Sequence, residues 1–204
     1  MALILSNGSV FLHNPRTGGG FATAVLRKCG VVREGLGAKH DCPGVLPMDM
    51  TVPHYVFVRE PYAWIRSVYA IQADWGWPTY PKHESRWWHP FREINDPPLV
   101  AKQHFTAFLA WMMTEHPGWV TRLFTKFADW PNSVVLRTEE MTAALERVVR
   151  EAGGDPRRVA QVGPTVKAKE RHHFTLPADP LPVLIREWKQ SEAIAYRRFG
   201  YEEA

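Results

Sequence analysis

Apolar residues fall in short bursts along this chain of 204 residues, and their spacing separates strands from helices. Val10, Phe11 and Leu12 form a compact run within Gly8 to His13 that predicts a strand. Pro15 and three glycines then interrupt it, and helical spacing takes over from Phe21 to Cys29. The theme returns further on: Tyr55 to Val58, inside Val52 to Arg59, reads as a buried parallel strand. Pro61 suits the first turn of a helix that continues over Tyr62 to Ala73. Helical patterning recurs at Ala101 to His116 and Trp119 to Phe127, and Ser133 to Leu136 supplies another buried strand. Met141 to Ala152 is amphipathic and stopped by Gly153 and Gly154, and a last helix over Leu181 to Phe199 is stopped by Gly200. Strands alternating with helices predict an α/β fold, a three-layer sandwich whose central, mainly parallel sheet is covered on both faces. Ligands gather beyond the carboxyl ends of such strands.

Two stretches lack this order. Asp74 to Pro98 contains Trp75, Trp77, Trp87 and Trp88 among five prolines and reads as a long excursion or lid at about 74–98. Val162 to Asp179 is a loop rich in Lys, Arg and His. The tryptophans are candidates to stack on the flat faces of an acceptor, with a satellite core as the alternative. At 45% hydrophobic and 12% aromatic, the chain has material for one domain spanning 1–204. No apolar run has the length of a membrane span, and Met1 to Val10 lacks the pattern of a secretory signal, so a soluble cytoplasmic protein is expected.

A net charge of +4 points to an anionic ligand, yet the basic residues are scattered rather than clustered, which argues against a nucleic-acid partner. Cys29 and Cys42 have no disulfide or metal spacing and are read as free thiols. The adjacent His172 and His173 have no complementary cluster, and no metal is expected.

Chemistry concentrates in two loops. Asn14-Pro15-Arg16-Thr17-Gly18-Gly19-Gly20 lies between a strand and a helix, where glycines let backbone amides approach an anion and the helix start adds unpaired N–H groups. Arg16 adds a multi-donor cation suited to a phosphate or a transferring sulfuryl group, and Thr17 adds a hydroxyl. No Lys-Ser or Lys-Thr pair follows the last glycine, so the loop is not a Walker A motif. In the second loop Arg59 ends a strand, and Ser67 falls nearly two turns into the next helix.

Together these loops resemble the sulfotransferases that use 3′-phosphoadenosine 5′-phosphosulfate, especially their carbohydrate and tyrosyl-protein branches, over most of the chain. Three further stretches agree: VVLRTEEM at Val134 to Met141, Phe105 to Phe108, and Phe199-Gly200-Tyr201. The resemblance implies a P-loop NTPase-like sulfotransferase fold. It implies that Pro15, Arg16, Thr17, Gly18, Gly19, Gly20 and Phe21 hold the 5′-phosphosulfate, that Arg59 and Ser67 hold the 3′-phosphate, and that Lys167 and Lys169 touch the nucleotide. Gly20 stands where many members have Thr or Ser, which removes one hydroxyl unless Thr17 or Thr23 replaces it.

The activity so implied is transfer of a sulfuryl group to a hydroxyl or amine of a carbohydrate-like acceptor, releasing adenosine 3′,5′-bisphosphate without a metal. Arg16 is the expected catalytic cation. His40 is the expected base, placed between the nucleotide loops where some members carry a catalytic histidine; a loop histidine without a catalytic part is the alternative, and Asp41 and Glu60 compete for the role. Two other functions stay open: a magnesium-dependent phosphotransferase or nucleotide hydrolase of related fold, and a noncatalytic nucleotide-binding protein.

Overall fold

The computed structural model describes residues 1–38, 40–77, 94, 96–166 and 177–201. The chain forms two compact units, Met1–Arg59 with Phe124–Arg171 and Glu60–Leu123 with His172–Ala204.

The first unit is built on a five-stranded sheet of β1 (Ala2–Leu5), β2 (Val10–Leu12), β3 (Val32–Leu36), β4 (His54–Val58) and β5 (Ser133–Arg137), in the order β3-β1-β2-β4-β5. The expected mainly parallel sheet is corrected here to a mixed one. β2 pairs with β4 and β4 with β5 in parallel, but β1 runs antiparallel to both β2 and β3. The cause is local. Between β1 and β2 the chain reverses through Gly8 at φ 86°, with Asn7 accepting hydrogen bonds from the amide and hydroxyl of Ser9, so the two strands form a hairpin rather than a crossover.

All five residues of β4 are buried, as expected of a central strand. Leu3, Leu5, Phe11, Tyr55, Phe57 and Leu136 contribute to a core that includes side chains from α1 (Gly19–Lys28). On α1 the buried positions Ala22, Val25 and Leu26 recur at helical spacing and form the apolar stripe facing that core.

The second unit contains α2 (Pro61–Asp74), α3 (Leu99–Gln103) and α4 (Phe105–Glu115). The expected single helix over Ala101 to His116 is divided at His104, whose backbone is extended (φ −130°, ψ 120°). His104 itself stays bonded on both sides of the break, since its amide donates to the Val100 carbonyl and its own carbonyl accepts from Phe108. Helix α5 (Trp119–Ala128) crosses from this unit into the first. There α6 (Met141–Glu151) presents Ala144, Leu145, Val148 and Val149 to the core, and α7 (Arg157–Val162) follows.

The last helix is also divided, into α8 (Pro182–Ser191) and α9 (Ala193–Arg198), at Glu192. Glu192 is fully buried, and its carboxylate accepts hydrogen bonds from the amides of Val120 (3.0 Å) and Thr121 (2.9 Å) and from the Thr121 hydroxyl (2.7 Å). A carboxylate at the start of α5 satisfies amides that have no partner within the helix. Among the described residues no helix is long and apolar enough to cross a membrane.

Candidate functional site

The three parallel strands of the first unit end on the same edge of the sheet, and the candidate loop leaves from that edge. Pairing of Leu12 with Val56 and of Val58 with Arg137 puts Asn14, Arg59 and Thr138 just beyond the ends of β2, β4 and β5. Hydrogen bonds hold the loop to its neighbours. The buried Asn14 amide donates to the Phe57 carbonyl (2.9 Å), and the Thr17 hydroxyl donates to the Asn14 carbonyl (2.9 Å). The Thr138 hydroxyl lies 2.8 Å from the Val58 carbonyl and 3.1 Å from that of Thr17, bridging strand end and loop.

Gly18 caps α1 in the left-handed region at φ 75°, a Cβ there would fall 2.5 Å from Met141 Cε, and no acidic side chain occupies the first turn of the helix. The positive end of the helix is therefore not neutralised by an acidic residue of its own first turn. Arg16 also adopts a left-handed backbone, at φ 58°. Its guanidinium pKa is lowered from the ordinary arginine value, first by burial and then by the like charge of Arg59. The two sequence-predicted arginines are thus in electrostatic contact within one unit. A bound anion would relieve the cost of holding this charge away from water.

The structure brings His40 to the start of the loop. Its Nδ1 lies 3.1 Å from the His13 carbonyl oxygen, and the two imidazole rings meet edge to face at 4.7 Å. A carbonyl only accepts, so Nδ1 carries the proton and the neutral ring has its lone pair on Nε2, the atom a base would use.

His13 is the residue that sequence reasoning missed. Its ring is buried and packs against Gly19, the first residue of α1: a Cβ on Gly19 would lie 2.2 Å from His13 Cδ2 and 2.6 Å from Nε2. Gly20 is different. A Cβ there meets nothing within 4 Å, so no steric demand excludes the Ser or Thr seen in the family pattern. Thr23, the other candidate replacement, has its hydroxyl buried with no hydrogen-bond partner among the described residues, and Phe21 is 37% exposed.

Several other sequence-predicted residues are engaged within the fold. Ser67 is buried on α2 of the second unit, and its hydroxyl donates to the Trp64 carbonyl of the same helix (2.8 Å). Glu60, considered as a base, caps α2 by accepting from the Ala63 amide and also accepts from the Tyr196 hydroxyl, an arrangement that accounts for it structurally. Asp41 accepts from the Ala38 amide. Trp77 packs on Tyr69 and Phe108 and donates its indole N–H to the Lys102 carbonyl (3.2 Å), whereas Trp75 is half exposed.

Trp87, Trp88, Lys167 and Lys169 lie outside the described residues, as does most of the excursion at 74–98. Cys29 and Cys42 are buried free thiols, each pushed up by burial. Among the described residues no group of three or more His, Cys, Asp or Glu side chains converges as a metal site would.

No family model, curated protein or solved structure matches this chain. The functional reading therefore rests on the residues themselves.

Proposed function

We propose that this chain is a sulfotransferase of P-loop-like fold that transfers a sulfuryl group from 3′-phosphoadenosine 5′-phosphosulfate to a hydroxyl or amine of a carbohydrate-like acceptor. The observation that carries the reading is the partly buried Arg16, lowered in pKa beside Arg59, in the loop that leads into the start of α1. Two mutually repelling cations and an N-terminal helix dipole favour a ligand with more than one anionic group. The absence of a Walker lysine favours phosphosulfate over a magnesium triphosphate.

In this reading Arg16 and the amides at the start of α1 bind the 5′-phosphosulfate, and Arg59 binds the 3′-phosphate. When bound, the donor supplies the sulfuryl group. Arg16 offsets the negative charge left on the phosphate, and His40 takes the acceptor proton at Nε2.

Calorimetric titration with adenosine 3′,5′-bisphosphate in EDTA tests this. Saturable binding is expected in the wild type, weakened by at least tenfold in Arg16→Ala and in Arg59→Ala, corresponding to about 1.4 kcal/mol or more. His40→Ala should keep the affinity and lose transfer. A folded wild type that gives no saturable heat would overturn the assignment, and unchanged turnover in His40→Ala would remove that histidine from the mechanism.

A further inference from the structure

The second unit contains a cavity of about 540 Å³, within the size range of sites for small organic ligands. It is separate in kind from the arginine loop, because the described residues that line it include neither Lys nor Arg.

One part of its lining is aromatic. Tyr69 and Phe105 stand with ring centroids 5.2 Å apart and planes tilted by 56°. The Tyr69 hydroxyl is committed to the Lys102 carbonyl (3.2 Å), so this residue offers the cavity mainly an apolar ring. Opposing chemistry comes from Asp74 at the end of α2 and from Gln103, His104 and Thr106 around the α3–α4 junction. These groups supply hydrogen-bond donors and acceptors together.

The wall at Pro177 belongs to no helix or strand, yet it is fixed. Arg66 donates to the Pro177 carbonyl (2.8 Å) and pairs with Asp179 (3.1 Å), and the Tyr62 hydroxyl donates to the same carboxylate (2.9 Å). Three contacts from α2 hold an irregular segment in place, which gives the cavity a preformed rim.

Charge narrows the occupant. An anion is disfavoured because the described residues lining the cavity offer it no Lys or Arg partner. A cation is disfavoured by the start of α4, where His104 is the N-cap without a side-chain cap hydrogen bond and no acidic residue falls in the first turn. Hydroxyl groups both donate and accept, and the C–H face of a saturated ring packs on an aromatic one.

We propose that this cavity binds a neutral, hydroxyl-rich ring compound of one or two rings. The proposal does not depend on sulfuryl transfer or on the arginine loop.

Saturation-transfer NMR on the full chain tests it with five probes: cellobiose, N-acetylglucosamine, adenosine, glucosamine and glucose 6-phosphate. Transfer to cellobiose and N-acetylglucosamine is expected at millimolar concentration, with glucosamine and glucose 6-phosphate weaker. Ala73→Trp, at an exposed position lining the cavity, should reduce the cellobiose signal at least fivefold. Thr106→Val should reduce it at least twofold, and this small change keeps the test decisive if the tryptophan variant fails to fold.

Adenosine 3′,5′-bisphosphate titrated into the same variants should bind as it does to wild type, which separates failure here from failure of the sulfotransferase reading. The proposal is overturned if folded wild type shows no transfer to either neutral sugar, if both variants leave the signal intact, if the charged sugars give the stronger signal, or if only the base protons of adenosine respond.

Discussion

Replacing Glu192 with alanine is expected to lower the unfolding free energy by about 3 kcal/mol, a loss of the size that follows when several buried donors are orphaned together. The carboxylate accepts three hydrogen bonds from Val120 and Thr121, and alanine offers nothing in its place. Glu192→Gln keeps one acceptor oxygen but turns an N–H₂ toward donors, and it should fall between alanine and wild type. Urea denaturation followed by circular dichroism measures both.

The same residue gives the wild type a pH dependence. Burial raises the Glu192 pKa, and the hydrogen bonds from Thr121 and Val120 only partly oppose it. The folded state therefore holds this proton more tightly than the unfolded state. Its contribution is fully present below the ordinary glutamate range and is lost as pH rises through the folded value. Wild-type stability should accordingly drift downward above about pH 4.5, and the drift attributable to this group should vanish in Glu192→Gln. A glutamine variant with an undiminished slope would show that other groups set the dependence.

The second large effect distinguishes two neighbouring glycines. On helix propensity alone, Gly19→Ala and Gly20→Ala should each stabilise α1 by up to about 1 kcal/mol. At Gly20 nothing lies within 4 Å of the added carbon, and that gain is expected in full. At Gly19 the carbon falls on the His13 ring, which already meets His40 edge to face, so the histidine must move. Gly19→Ala should destabilise by about 2 kcal/mol, as overpacking does, and should weaken adenosine 3′,5′-bisphosphate binding more than tenfold. Opposite signs at adjacent positions, read by urea denaturation, are the expected signature. Equal stabilisation at both would show that the His13 contact imposes no constraint.

The central strands were legible because burial imposes a strong pattern on them. Tyr55 to Val58 is an unbroken apolar run, and the glycines after Val10 to Leu12 marked the passage from strand to helix, although Gly19 and Gly20 belong to α1 rather than to the loop. The strands at the other side of the sheet were not. β3 reads VREGL, with its three middle residues exposed and a glycine among them, so it carries neither a continuous apolar run nor a clean alternation. Without β1 and β3 in view, the three remaining strands implied a parallel sheet.

The breaks at His104 and Glu192 were hidden for a related reason. Each is made by partners distant in sequence or by backbone bonds that spacing does not encode, and Glu192 alone contacts residues 71 and 72 positions away. At the candidate site the arginines were read from loop chemistry, but His13 was treated only as the end of a strand. The signal available was Gly19 itself: glycine at the first position of a helix, without a positive φ, asks what bulky neighbour excludes a Cβ.

On the proposed reading, Arg16 places folding and binding in competition at a single position. A non-glycine residue held at φ 58° carries a conformational penalty of roughly 1 kcal/mol, and burial beside Arg59 adds to it. Arg16→Gly would remove both burdens along with the guanidinium. Screening for thermal robustness alone would therefore enrich a glycine here and yield a sturdier protein with an impaired anion site, whereas screening for ligand retention would keep the arginine and accept the lower melting temperature.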